Sequence, residues 1–169
     1  MEILKEILNR RSIRKFQDKE VSDDVIKKIL HAAMQAPSAN NEQPWEFIVV
    51  KNKQTLLKMM EIHPYAKMLK EAAIAIIVCG DLKKEVSNCR WVQDCSAATE
   101  NLLLEVVHQG LGAVWVGVYP NKEREEPLRK LFNLPDNIIP LCIIPIGYPA
   151  EKKEYENRFK EERIHYEKW

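Results

Sequence analysis

Apolar residues recur at helical spacing from the start of the chain. Ile3, Leu4, Ile7 and Leu8 predict a short helix over 2–8 that ends just before a basic cluster. Ser22 reads as an N-cap, with Asp23 and Asp24 near the positive end of the following helix. Val25, Ile26, Ile29, Leu30 and Ala33 keep that spacing until Pro37 stops the run. EFIVVK at 46–51 predicts a buried strand, and 53–70 predicts helix broken at His63-Pro64. AIAIIVC at 73–79 predicts an interior strand closed by Gly80-Asp81. The longest predicted helix covers 91–109; Gly110 ends it and Gly112 opens the strand AVWVGV. Pro127 falls within the first turns of a helix over 124–132. A last strand over 141–146 contains Pro145, which predicts an edge position or a bulge. Helices and strands interleave without repeats, linkers or an internal boundary, so one domain of class α+β or α/β is expected over 1–169.

The segment 151–169 breaks the pattern. Twelve of its 19 residues are charged, yet it carries Tyr155, Phe159, Ile164, Tyr166 and Trp169. It cannot fold alone, and a solvated tail would not need those side chains, so an arm that embraces something is expected. Composition narrows the class. The 169 residues are 46% hydrophobic and 30% charged with a net charge of +1, which gives no overall bias toward nucleic acid or anionic membrane. No apolar run approaches the ~18 residues of a membrane span. MEILKEILNRR lacks the apolar region of a signal peptide, and cytoplasm is the expected compartment. Four cysteines form no CxxC pair and four histidines are scattered, so neither a metal site nor a disulfide framework is expected. Cys79 and Cys142 lie in apolar runs and read as small core residues.

Against that neutral background the stretch NRRSIRKF stands out. Arg10, Arg11, Arg14 and Lys15 surround Ser12, while Ile13 and Phe16 offer apolar anchors. A solvated helix end or a nucleic-acid patch would account for an isolated basic cluster. Guanidinium forks beside a hydroxyl also suit a phosphate dianion, through bidentate charge-assisted bonds. The five glycines, at 80, 110, 112, 117 and 147, build neither GxGxxG nor a P-loop, so a phosphorylated cofactor would need a side-chain cradle. A second stretch, APSANNEQPWEF at 36–47, brackets Ser38, Asn40, Asn41, Glu42 and Gln43 between prolines. It reads as a polar turn, or as amides suited to the uracil-like edge of a flavin ring.

Together the two stretches resemble the FMN-dependent nitroreductase family. KMLKEAAIAIIVCGD, QDCSAATENLLLEVVHQGLGAVWVG and IIPIGYP follow in the family's order, so the resemblance covers most of the chain, and it is to the smaller members. It implies an α+β, three-layer fold with a mixed, mostly antiparallel sheet flanked by helices, in an intertwined homodimer with active sites at the interface. Arg10, Arg11, Ser12 and Arg14 match the first FMN motif. Arg10 and Ser12 would serve the phosphate side, and Arg14 the N1–C2 carbonyl region of the ring. Pro37, Ser38, Ala39 and Asn41 match the second motif, which reaches FMN held mainly by the other subunit; Ala39 replaces a common serine and could offer only backbone. Lys67 matches a lysine near the pyrimidine edge. Gly117 and Val118 fall where the family's backbone approaches flavin N5. Arg158, with Lys160 next, matches a closing basic pair for phosphate, and 151–169 matches an arm over the partner subunit.

The resemblance implies FMN as cofactor and NAD(P)H as donor, with hydride transfer through N5 and ping-pong turnover of nitroaromatics, quinones or similar small aromatic acceptors. No catalytic side chain is then required. Other flavin tasks on the same fold, such as dehalogenation, ene reduction or flavin handling, stay open beside this reading, as does a non-enzymatic nucleic-acid module, although aromatics do not interleave with the basic residues. Trp91, Trp115, Tyr65 and Tyr119 suit a substrate face or a core equally. The stripe Val92, Cys95, Ser96, Thr99, Leu102, Leu103, Val106 suits a helix buried between protomers and equally an ordinary core helix.

Overall fold

A computed structural model describes residues 3–86 and 89–169. In chain order it contains α1 (Lys5–Asn9), α2 (Asp23–Met34), β1 (Trp45–Val50), α3 (Lys53–Ile62), β2 (Ile74–Asp81), α4 (Trp91–His108), β3 (Gly112–Ala113), β4 (Val116–Gly117), α5 (Lys122–Phe132) and β5 (Ile138–Gly147). Short 3-10 turns lie at Ala39–Asn41, Lys67–Lys70 and Glu161–Arg163. The strands form one sheet in the order β1-β2-β5-β3, with β4 also on β5, and these named pairs are all antiparallel. A single parallel bridge, Ser12 to Ala113, extends it beside β3.

Alternation along β2 explains the two cores. Ile74, Ile76 and Val78 face α2 and α4, whereas Ala75, Ile77 and Cys79 face α3 and the turn Lys67–Lys70. A strand covered on both faces needs an unbroken apolar run, and AIAIIVC supplies it. Burying Ile76 or Ile77 completely contributes about 1.5–3 kcal/mol each. This is the three-layer α+β arrangement that the resemblance implies. Cys79 and Cys142 are core residues; burial pushes the Cys79 and Cys95 thiols up to about 12 and Cys142 higher still.

Most predicted elements form, with informative exceptions. Ser22, Asn52 and Asn121 each accept from a backbone N–H in the first turn of α2, α3 and α5. α1 buries none of its residues, and Ile7 on it stays exposed, as do Ile3 and Leu4 just before it. Glu2, at the start of the predicted first helix, lies outside the described residues. α5 starts earlier than predicted, so Pro127 sits past the first turn and forgoes one intrahelical bond. AVWVGV is two short strands with Val114 and Trp115 between them.

The last strand is longer than predicted and lies inside the sheet, not at its edge. β5 pairs with β2 on one side and with β3 and β4 on the other. The irregularity falls opposite Val78/Cys79, not at Pro145. Ala73 N–H donates to the Ile146 carbonyl at 3.0 Å, so Ile146 directs its polar backbone groups toward β2. Alternation then turns the Pro145 nitrogen to the opposite side, at the break between β3 and β4, where no strand asks for its missing N–H.

Candidate active site

Residues 11–17 run along the β3 end of the sheet, and two apolar side chains hold them there. Ile13 N–H donates to the Ala113 carbonyl at 2.9 Å, and Phe16 bridges to Pro149. Both side chains are buried, as the anchors in NRRSIRKF should be. Their seats are glycines. A Cβ on Gly112 would come within 2.8 Å of Ile13, and one on Gly147 within 3.0 Å of Phe16. Arg14, between the anchors, is left exposed. Its N–H and that of Lys15 donate to Glu151 Oε1, at 2.5 and 3.2 Å, which lowers the Glu151 pKa.

Arg14 lines a cleft of about 620 Å³ with Lys67, His63, Trp115, Gly117 and Arg124. Met68, Val114 and Val116 supply apolar wall, and among the described residues no carboxylate lines the cleft. Among the described residues Arg14, Lys67 and Arg124 form no ion pair. A second groove of about 250 Å³ shows the contrast, because Asp18, Glu20 and Glu71 stand there among its lysines. Three unpaired cations in one cleft make it a place for an anion.

Gly117 is the centre of the cleft wall. His63 Nε2 lies 2.8 Å from its carbonyl oxygen, and Arg124 Nη1 donates to the same oxygen at 3.1 Å. Tyr65 N–H donates to His63 Nδ1 at 3.3 Å, so His63 is neutral with its proton on Nε2. Burial lowers the His63 pKa; the Arg124 charge lowers it further, while the bond to Gly117 opposes both. The Gly117 carbonyl points away from β5, and its N–H lies on the same open side of the strand. A Cβ at Gly117 would meet no atom within 4 Å, so packing does not require glycine there.

The other predicted residues lie elsewhere on the chain. Arg10, Arg11 and Arg158 border a hollow of about 260 Å³ between α1 and residues 155–159. Arg10 is paired with Glu100 at 3.3 Å, Arg11 donates to the Glu154 carbonyl at 3.0 Å, and Arg158 is paired with Glu156 at 3.2 Å. Ser12 gives its carbonyl to Lys153 Nζ, and Lys160 pairs with Glu162 in the exposed tail. Pro37, Ser38 and Ala39 line a further hollow of about 320 Å³ against the start of α4. There Ala39 N–H donates to the buried Asp94 at 3.1 Å, and Ser38 Oγ accepts from Gln43 N–H at 3.0 Å. Asn40, Asn41 and Gln43 hold positive φ in this loop, a conformation that asparagine tolerates. Asn41 is exposed and accepts from Gln43 Nε2. Val118 is buried, and its N–H is committed to the Leu141 carbonyl, so it stands behind the cleft wall.

His63, Arg124 and Trp115 are cleft residues that the motifs did not single out as a group. The one signal for His63 was the helix break at His63-Pro64; its partner Gly117 lies 54 residues away.

Comparison with known proteins places these features in a wider set. The model of the Nitroreductase family matches residues 7–148. A Methanothermobacter thermautotrophicus protein, provisionally named NADH dehydrogenase/NAD(P)H nitroreductase, is 53% identical over 169 residues, covering 100% of this chain and 88% of its own. The crystal structure of a Parabacteroides distasonis protein of the same provisional name superposes with a TM-score of 0.92 at 48% identity, over 97% of this chain and 96% of the other. A Desulfovibrio desulfuricans protein, provisionally called a nitroreductase and solved in complex with FMN, gives a TM-score of 0.83 at 28% identity, over 97% and 95% of the two chains.

Proposed function

The chain belongs to the nitroreductase family, and we propose that it is an FMN-dependent NAD(P)H oxidoreductase acting on nitroaromatics, quinones or similar electron-poor acceptors. The observation that carries this reading is the donor pair at one side of the cleft: Arg14 and Lys67 without a counter-ion, beside apolar wall and the open backbone of Gly117. A flat ring with an anionic edge fits such a set. When bound, FMN supplies hydride-transfer chemistry between NAD(P)H and the acceptor. Arg14 would hold the pyrimidine edge and favour negative charge there, with Lys67 beside it. Gly117 would present its backbone to the ring because no side chain stands in the way. Met68, Val114 and Val116 would keep water from the ring's face. No side-chain acid or nucleophile is assigned.

The phosphate would go to Arg10, Arg11 and Ser12, with Arg158 closing from the tail. On one chain these residues and Pro37, Ser38, Ala39 and Asn41 stand apart from the cleft, which supports a homodimer whose sites are completed across the interface. Exposed Leu4, just before α1, and Ile7 on it, with Tyr155, Phe159, Tyr166 and Trp169 on the tail, give a second copy apolar surface to cover. We take residues 1–169 as one FMN-binding domain, with 151–169 as the arm. No helix among the described residues is long and apolar enough to cross a membrane. The buried free thiols Cys79, Cys95 and Cys142 suit a reducing cytoplasm. Basic-cluster residues that are ion-paired (Arg10) or stacked on Tyr155 (Arg11) make a poor nucleic-acid stripe.

Arg14→Ala tests the placement. FMN titration should show affinity about tenfold or more weaker, as for loss of a charged hydrogen bond, with the sedimentation coefficient unchanged. Unaltered FMN affinity would count against Arg14.

A further inference from the structure

We propose that Arg124 reads a carboxylate on the acceptor, so that the preferred acceptors are flat aromatic compounds bearing an anionic group. The proposal rests on the FMN reading above and names the substrate class of that same cleft.

α5 delivers Arg124 as its third residue, with its N–H capped by Asn121 at 3.3 Å. One guanidinium nitrogen is committed to the Gly117 carbonyl at 3.1 Å, and the group lies 5.4 Å from the centre of the Tyr65 ring. Guanidinium carries five N–H donors in a rigid fork, so most of the fork is left for a ligand. Its helix neighbour Glu125 offers no neutralisation, because it is buried and paired with Lys122 at 2.9 Å. A half-buried guanidinium without a counter-ion has lost water on one side and gained no anion in return. Such a group is best satisfied when a ligand brings the charge.

FMN does not need it. In the reading above Arg14 and Lys67 serve the ring, and Arg10, Arg11 and Arg158 the phosphate, so Arg124 is the cleft cation left over. What flanks it fits a flat acceptor. Tyr65 is 70% exposed and Trp115 36% exposed, and both line the cleft with Arg124. A planar ring can rest on these side chains while its carboxylate meets the guanidinium fork edge-on, the bidentate geometry that arginine favours.

The test uses FMN-loaded enzyme and two pairs of near-isosteric compounds, a carboxylate and its carboxamide in each; the non-reducible pair reads binding free of any difference in reducibility. 4-Nitrobenzoate and 4-nitrobenzamide are compared as acceptors by kcat/KM with NADH. Benzoate and benzamide, which are not reduced, are compared as ligands by the dissociation constant read from the flavin absorption change. The wild-type enzyme is expected to favour the carboxylate about tenfold or more in both pairs, the scale of one charged hydrogen bond. Arg124→Gln should bring both ratios close to one. Arg124→Lys, which keeps the charge and loses the fork, should lower them several-fold and decides the matter if the glutamine variant does not load FMN. Wild-type ratios near one, or ratios unaltered in both variants, overturn the assignment. A change in the NADPH-to-NADH ratio in place of the carboxylate ratio would assign Arg124 to the donor's phosphate and also overturn it. Flavin content is read separately: wild-type protein that takes up no FMN removes the cofactor reading and this proposal with it, whereas FMN-loaded enzyme without carboxylate preference removes this proposal alone.

Discussion

A Cβ on Gly112 would press to 2.8 Å from Ile13, whereas one on Gly117, five residues on, would meet nothing within 4 Å. The second glycine is spare as far as packing goes, and its opening lies in the cleft. Gly117→Leu should therefore leave the urea midpoint close to wild type while FMN binding falls about tenfold or more, as a side chain enters the ring's space. His63 makes a separate prediction. Burial holds its pKa below the ordinary 6.5, so the unfolded chain takes up the proton first as pH falls. The stability contributed by neutral His63 is complete above about pH 6.5 and is lost progressively below it. Urea midpoints at about pH 7.5 and 5.5 should differ less in His63→Gln than in wild type; an equal difference would mean that another group carries the acid sensitivity. At this scale the resemblance named Arg14 and Lys67, and the structure brings both to one cleft. The sequence hid the pairing of His63 and Arg124 on one carbonyl, since contacts between separate elements leave no local pattern.

The elements that matter most to the site are the irregular ones. Residues 11–17 are held by backbone bonds from Ile13 N–H to the Ala113 carbonyl, from Gln17 N–H to the Tyr148 carbonyl and from Ala150 N–H to the Lys15 carbonyl, and by side-chain seats on Gly112 and Gly147. Gly112→Ala must push Ile13 off the sheet, and should cost about 1–3 kcal/mol while displacing Arg14. Chemical denaturation and FMN titration of the same variant should fall together; stability lost with FMN affinity intact would show that the segment does not position the site. A helix with a clean apolar face and a Ser cap was legible, as α2 shows, whereas the Asn121 cap of α5 was not read and its start was placed late. β5 was less legible too. Pro145 suggested an edge position or a bulge, but a proline is tolerated inside a sheet wherever its neighbour strand is interrupted. That interruption, at Val114 and Trp115 between β3 and β4, also divides AVWVGV, so one local event accounts for both departures.

At the scale of the whole molecule, motif residues that stand close in sequence separate in space. Arg10 and Arg14 are four residues apart, yet they border different hollows, because Ile13 and Phe16 pin the segment between them. Periodicity showed interleaved helices and strands and an interior β2, whose two covered faces demand an unbroken apolar run, but it left α+β and α/β open; the three layers came from the resemblance. The α4 stripe was not decisive: Cys95, Thr99, Leu102, Leu103 and Val106 are buried by this chain's own sheet and helices. In the tail, Phe159 is 64%, Tyr166 83% and Trp169 100% exposed in the chain by itself. Removing residues 157–169, while keeping the Glu151, Lys153 and Glu154 contacts, should shift the protein toward monomer in sedimentation equilibrium and weaken FMN retention; an intact dimer would show that the arm is not what joins the copies. The most direct measurement is a visible absorption spectrum of the purified protein, followed by denaturation and identification of what is released. Flavin bands with FMN released at about one per chain are the predicted result, since the cofactor is to carry the redox work. A colourless protein that takes up no added FMN would contradict the account at its centre.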